Sequence, residues 1–231
     1  MEYKKTLRGK FISRPNRFIA SVMVRENVET VHVKNTGRCK ELLIPGACVV
    51  LSVSDNENRR TKYDLIAVEK VLENGEKVLI NMDSQIPNDV AYEWLKSGGL
   101  ISESALVRRE VKYGNSRFDI YFEDGEKKGF IEVKGVTLES GGVAMFPDAP
   151  TDRGVKHLKE LSCAKSEGYE AYVLFVIQMK GVRKFVPNDE TDKAFGSALR
   201  AAKERGVEIL VYDCKVEDDF IEIDSPVEYM L

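Results

Sequence analysis

The chain is poor in cysteine, has no long apolar run and shows no internal repeat, and each absence removes a class of protein. Its four cysteines, Cys39, Cys48, Cys163 and Cys214, lie scattered over 231 residues, without the paired spacing of a zinc site or a disulfide scaffold. Thiols so placed suit a reducing compartment. No apolar stretch approaches the ~20 residues that cross a bilayer. The opening segment MEYKKTLRGKF lacks the apolar core of a secretion signal, so a cytoplasmic location and no membrane partner are expected. Nothing repeats at a fixed period, and no segment is of low complexity.

What is present is an ordinary globular composition, 43% hydrophobic and 32% charged, enough to build a core and too apolar for disorder. The net charge of −3 argues against indiscriminate binding to polyanions, but the charge is unevenly placed. Residues 1–80 hold 15 Lys and Arg against 10 Asp and Glu, a net of +5, and the remaining 151 residues hold 20 against 28, a net of −8. A basic part joined to an acidic one points to a polyanionic partner for the basic part.

Two textures divide the chain near residue 82. Residues 1–82 read as short strands, Leu7–Ile12, Arg17–Arg25, Glu29–Val33, Ala47–Val53, Asp64–Val71 and Lys77–Asn81, punctuated by Asn35-Thr36-Gly37 and Pro45-Gly46. Five or six strands in so short a span predict a small OB-like β-barrel. Its strand ends and loops carry Arg8, Lys10, Arg14, Arg17, Arg38, Lys40, Arg59, Arg60 and Lys62, with Phe11, Phe18 and Tyr63 among them. Cations interleaved with aromatics suit a nucleic-acid strand, whose phosphates pair and whose bases stack. The same aromatics can equally fill the barrel.

Residues 83–231 alternate helix and strand, which predicts a mixed sheet flanked by helices. Pro87-Asn88-Asp89 opens a helix that Gly98-Gly99 closes. Thr151-Asp152 caps a second, running to about Ser166 and stopped by Gly168, and a third spans about Asp192 to Arg205. Ala171–Ile177, AYVLFVI, is a continuous apolar run of the kind buried on both faces, Val207–Tyr212 is a further strand, and the acidic tail adds an edge strand. Lys156 and His157 fall in the first turns of the second helix, where free N–H groups and the positive dipole end can hold a phosphate. His157 packed on the helix surface is the plainer reading of that residue.

The most informative stretch is Ser116 to Lys134, SRFDIYFEDGEKKGFIEVK. Two strand-like runs, Arg117–Glu123 and Gly129–Val133, flank a turn, so a hairpin is expected. Glu132 and Lys134 are two apart and share a face. A register that brings Asp119 beside Glu132 gathers two carboxylates and an ammonium at one point. Such a set suits a hard cation, Mg²⁺ or Mn²⁺, with the lysine orienting a water.

Several long segments resemble the SfsA (sugar fermentation stimulation) family: RPNRF (14–18), HVKNTGRCKELLIPG (32–46), YDL (63–65), YGNSRFD (113–119), EVKGVTLE (132–139), MFPDAPTDRGVKHLKEL (145–161) and FVIQ (175–178). The resemblance covers nearly the whole chain. It implies an OB-type N-terminal domain joined to a PD-(D/E)xK nuclease-like domain, with non-specific DNA binding and a regulatory link to sugar (maltose) metabolism. Carried over residue by residue, it makes Asp119 and Glu132 metal ligands with the Val133 carbonyl as a third, Lys134 and Gln178 catalytic, and Glu93 a further ligand, with Glu110 competing for that place. Met179 stands where the family pattern has arginine. The resemblance also raises Arg38 from turn residue to DNA contact, beside Arg14, Arg17, Lys40 and Lys156. A Mg²⁺-dependent phosphodiesterase acting on DNA is the leading expectation. A non-catalytic DNA-binding regulator and a binder of small phosphorylated ligands are the alternatives, and the oligomeric state is open, a homodimer included.

Overall fold

The structure, a computed structural model, describes all residues except Thr36, Arg38, Glu57, Glu73 and Asn74. The chain divides into two compact units. The first comprises Met1–Ile86 with Gln178–Gly181 and Cys214–Glu222, and the second comprises Pro87–Ile177, Val182–Asp213 and Ile223–Leu231.

The first unit is built from β1 (Thr6–Ser13), β2 (Ile19–Val24), β3 (Asn27–Val33), β4 (Cys48–Val53), β5 (Tyr63–Val71) and β6 (Lys77–Asn81). All six strands match runs read from the sequence. They pair in the order β3-β2-β1-β4-β5-β6, and a parallel contact of His32 with Asp64 and Val33 with Leu65 joins β3 to β5. That contact closes five strands into the OB-like barrel and leaves β6 outside the ring. Alternation is the cause: Ala20, Val22 and Val24 of β2 turn inward with Val31 and Val33 of β3, against Leu65 and Val49. Gly9 on β1 lets β2 approach closely, since a Cβ there would lie 2.5 Å from Val22.

The second unit opens with α1 (Ile86–Lys96) and a meander of β7 (Leu106–Tyr113), β8 (Ser116–Asp124) and β9 (Lys127–Val136). Pro87 lies inside the first turn of α1, a position where its missing N–H costs nothing. After β10 (Leu138–Ser140) and β11 (Val143–Phe146) come α2 (Asp152–Ser166), β12 (Glu170–Ile177), β13 (Lys184–Pro187), α3 (Lys193–Glu204), β14 (Glu208–Val216), β15 (Ile221–Pro226) and β16 (Glu228–Tyr229). The main sheet runs β15-β14-β12-β9-β8-β7, with β12 parallel to both β9 and β14. The AYVLFVI run is thus central, and all but Tyr172 of it is buried. The acidic tail supplies the edge strand β15. A second small sheet, β10-β11-β13-β16, was not legible in the sequence.

Candidate metal and nucleic-acid sites

The β8–β9 hairpin has the register the sequence required. Asp124 pairs with Lys127 across a two-residue turn whose Gly125 takes φ +60°, and Ile120 pairs with Ile131. One residue further from the turn, Asp119 and Glu132 are brought side by side. Asp119 Oδ2 accepts the Val133 N–H at 2.8 Å, and its Oδ1 accepts the Asn88 amide at 3.0 Å. Burial first, and the charge of Glu132 second, push the Asp119 carboxyl up to about 6.

Glu132 is almost wholly buried, at 2% exposure. Its Oε1 accepts from Lys134 Nζ at 2.5 Å and from His157 Nδ1, while its Oε2 is buried with no hydrogen-bond partner. Burial opposes the Glu132 anion, but the hydrogen bond from His157 and the charge of Lys134 outweigh it and hold the carboxyl below its ordinary value. The His157 Nε2 accepts from Arg153 Nε at 3.4 Å, which assigns the ring proton to Nδ1. The histidine is therefore no surface residue; it is buried at 3% exposure and braces the carboxylate.

Helix α2 delivers that histidine. Thr151 caps it by accepting the Gly154 N–H at 3.0 Å, and its buried face, Gly154, His157, Leu158, Leu161 and Ala164, packs on the sheet. Helix α1 delivers Asn88, the residue that reaches Asp119. Glu93, expected there as a ligand, is exposed on another face of α1. Glu110, its competitor, is exposed on β7 at a left-handed φ of +56°, its carboxylate 3.9 Å from Arg117. Among the described residues no three Asp, Glu, His or Cys side chains converge as a metal cage. Two carboxylates, not three, meet here.

Gln178 belongs to the first unit. Its amide nitrogen donates to Asn81 Oδ1 at 3.2 Å and to the Asp83 carbonyl at 3.1 Å, so both of its N–H groups are engaged.

Among the expected DNA contacts, the structure separates scaffold from surface. The Arg14 guanidinium is bound to carbonyls of its own unit, Gly37 at 2.8 Å, Arg17 at 2.7 Å and Asn35 at 2.6 Å. It ties Asn35 and Gly37 to the β1–β2 loop. Arg59 is paired in two bonds with Asp64, and Arg8 in two with Asp218. Arg17 and Lys40 are exposed and border a cavity of about 420 Å³ with Phe11, Asn16 and Pro45. Phe11 and Tyr63 are buried in the barrel, whereas Phe18 is 56% exposed. Lys156 is exposed on α2, its amine 2.7 Å from the Asn115 carbonyl. Arg38 lies outside the described residues. Asn88 and the buried role of His157 escaped the sequence reading, because helix-to-sheet packing sets both.

Barrel and mixed sheet together define a class, an OB domain followed by an α/β domain, and comparison with known proteins gives it a family. Residues 12–84 match the SfsA N-terminal OB domain, and residues 85–220 match the sugar fermentation stimulation protein RE domain. The chain is 56% identical to the sugar fermentation stimulation protein homolog of Clostridium beijerinckii and 55% identical to that of Ruminiclostridium cellulolyticum, over all of each chain. It is similar to the solved structure of Pyrococcus furiosus SfsA in complex with Ca²⁺, with a TM-score of 0.85 and 28% identity over 100% of this chain and 98% of that one. The chain belongs to the SfsA family. Among its described residues no helix is long and apolar enough to cross a membrane.

Proposed function

We propose that this protein binds DNA through the barrel and carries, in its second unit, a divalent-metal site of the kind that cleaves phosphodiesters. The observation that bears most weight is the buried, partnerless Oε2 of Glu132 beside the half-buried Asp119. A bare carboxylate oxygen in such a place costs free energy that a cation would relieve. Carboxylate oxygens are the donors that Mg²⁺ and Mn²⁺ prefer. A relative solved with Ca²⁺, another hard cation, supports the same reading. Asp119 and Glu132 are the residues that would hold the ion, with waters and a phosphate completing its shell. The chemistry such an ion supplies is polarisation of a phosphoryl oxygen and a water ionised near neutral pH.

The chain's own groups do the rest. Val133 N–H and Asn88 fix the Asp119 carboxylate, and His157 with Lys134 fixes that of Glu132. Lys134, 14% exposed at its side chain, orients water or offsets charge gathering on the scissile phosphate. Arg17, Lys40 and the outward Phe18 are the barrel's groups for holding a strand by phosphate pairing and base stacking. Incubation of purified protein with labelled DNA and Mg²⁺ or Mn²⁺ tests this directly. Metal-dependent products are expected, and Lys134→Met should abolish them while DNA binding persists. A wild-type protein that cuts neither DNA nor RNA with either metal contradicts it.

One observation favours a second reading. Lys134 and His157 already place donors on Glu132 Oε1, and no third acidic ligand joins the pair among the described residues. A site neutralised in this way fits a non-catalytic DNA-binding regulator tied to sugar metabolism. Salt-sensitive DNA binding with no cleavage under any metal is its signature.

A further inference from the structure

The hollow that Arg17 and Lys40 border lies wholly within the first unit. At about 420 Å³ it falls among small-ligand pockets, which span roughly 300–1,000 Å³. Its apolar lining comes from Phe11 and Leu43, at 3% and 7% exposure, and from the exposed Ile12 and Pro45. Backbone bonds hold these walls in place. The Phe11 N–H donates to the Ala47 carbonyl at 2.9 Å and the Gly46 N–H to the Phe11 carbonyl at 2.8 Å, which fixes the Pro45 segment against β1. On the other side the Arg14 guanidinium joins Gly37 to the β1–β2 loop. The polar groups here are donors. Asn16 Oδ1 accepts the Phe18 and Ile19 N–H groups at 2.9 and 3.1 Å, which turns its NH2 group away from the backbone. Arg17 and Lys40 make no ion pair among the described residues, and none of the described lining residues is acidic.

We infer that this hollow receives one unstacked base of a single nucleic-acid strand, with the adjoining phosphate on Arg17 and Lys40. The inference rests on the DNA-binding reading and deepens it by naming the form of the strand and the place of one base. A phosphate alone has no use for apolar walls, and an apolar group alone has no use for two cations. A nucleotide supplies both. The flat faces of a base suit Ile12, Leu43 and Pro45, and the acceptors on its edge suit the Asn16 amide. Guanidinium and ammonium groups are the usual partners of the phosphate. With no acid among the described lining residues, nothing there repels the anion. Walls already tied by Arg14 and by the Phe11 backbone need little ordering when a base enters. A base in a duplex is stacked and paired, and it must leave the stack to enter a pocket. The hollow therefore selects single strands over duplex. Phe18, exposed and outside the lining, is the competing platform for a base.

The test compares three fluorescent probes of equal length: an oligothymidylate, the same sugar-phosphate backbone with abasic sites throughout, and the oligothymidylate paired with its complement. Ca²⁺ replaces Mg²⁺ so that the strands stay whole. Wild type should bind the oligothymidylate about tenfold more tightly than the abasic strand, whose charge is the same, and more tightly than the duplex. Ile12→Ser, a change at an exposed position, should cut that tenfold preference to about threefold with the melting temperature near that of wild type. Arg17→Gln/Lys40→Gln should weaken both single strands alike and reduce the slope of log affinity against log salt by about 1.4, some 0.7 for each cation lost. Equal binding of the oligothymidylate and the abasic strand by wild type, a comparison that needs no variant, overturns the base site and leaves the DNA-binding reading standing. A base preference that survives whole in Ile12→Ser overturns the hollow, and its loss in Phe18→Ala moves the base to that outer ring. Duplex bound more tightly than the single strand overturns the single-strand assignment. A melting temperature raised by thymidine monophosphate in wild type that binds no strand reassigns the hollow to a free nucleotide. Failure of wild type to bind any of these probes overturns the inference together with the reading beneath it.

Discussion

Asp119 is the residue whose surroundings ask most of the fold. Its ordinary value is 3.8, and burial with the Glu132 charge lifts it to about 6. Below about pH 4 the group is neutral in both folded and unfolded chains, and the lifted value contributes its full stability. As pH rises through about 6 that contribution is lost, because the folded protein must hold an anion it disfavours. In metal-free buffer, Asp119→Asn should therefore melt higher than wild type at pH 8, by an increment on the order of 2 kcal/mol. The difference should vanish below about pH 4. Asn88 can turn its amide to suit the new neighbour, so the hydrogen bonds need not be lost. A variant that melts lower than wild type at every pH would show that repulsion does not govern this site. Arg14 makes a different prediction. Three carbonyls hold its guanidinium, so Arg14→Ala should lower stability by about 2 kcal/mol in a denaturant titration. Arg17→Ala should leave stability alone and reduce the salt slope of DNA binding by ~1.

At the scale of elements, the legible parts were those whose pattern is local. The six barrel strands alternate within themselves, the hairpin carries its own turn at Gly125, and Thr151 and Asp192 announce the starts of α2 and α3. From that hairpin alone the meeting of Asp119 with Glu132 and Lys134 could be read. The small sheet could not, because its strands have two to four residues and β11 finds β13 some 40 positions away in parallel. Asn88 and His157 were hidden for the same reason: their partners lie 31 and 25 residues off, and only helix packing brings them in. The central pairing of β9 with β12 offers a test at this scale. A Cβ on Gly129 would meet Phe122 at 2.6 Å and the Glu170 carbonyl at 2.7 Å. Gly129→Ala should cost about 1–3 kcal/mol in chemical denaturation, since backbone cannot yield as a side chain can. A cost near zero would mean that β8 and β12 are less tightly fixed about β9 than the distances require.

The whole molecule combines a barrel with a basic rim and a mixed sheet with an acidic balance. The barrel's excess positive charge is smaller than residues 1–80 alone suggest, since Asp218, from a later segment of the same unit, is tied to Arg8. If the barrel binds DNA as proposed, that binding should be salt-dependent and non-specific in sequence, as contacts to phosphate carry no base information. The proposed cleavage would depend on one thing above all, a divalent ion held between two carboxylates on neighbouring strands. Anomalous diffraction from crystals soaked in Mn²⁺ reads that out without recourse to substrate. A peak within bonding distance of both the Asp119 and Glu132 oxygens, lost in Glu132→Gln crystals, is the expected result. Clear density for both side chains with no peak between them, at Mn²⁺ concentrations that occupy ordinary carboxylate sites, would contradict the metal site.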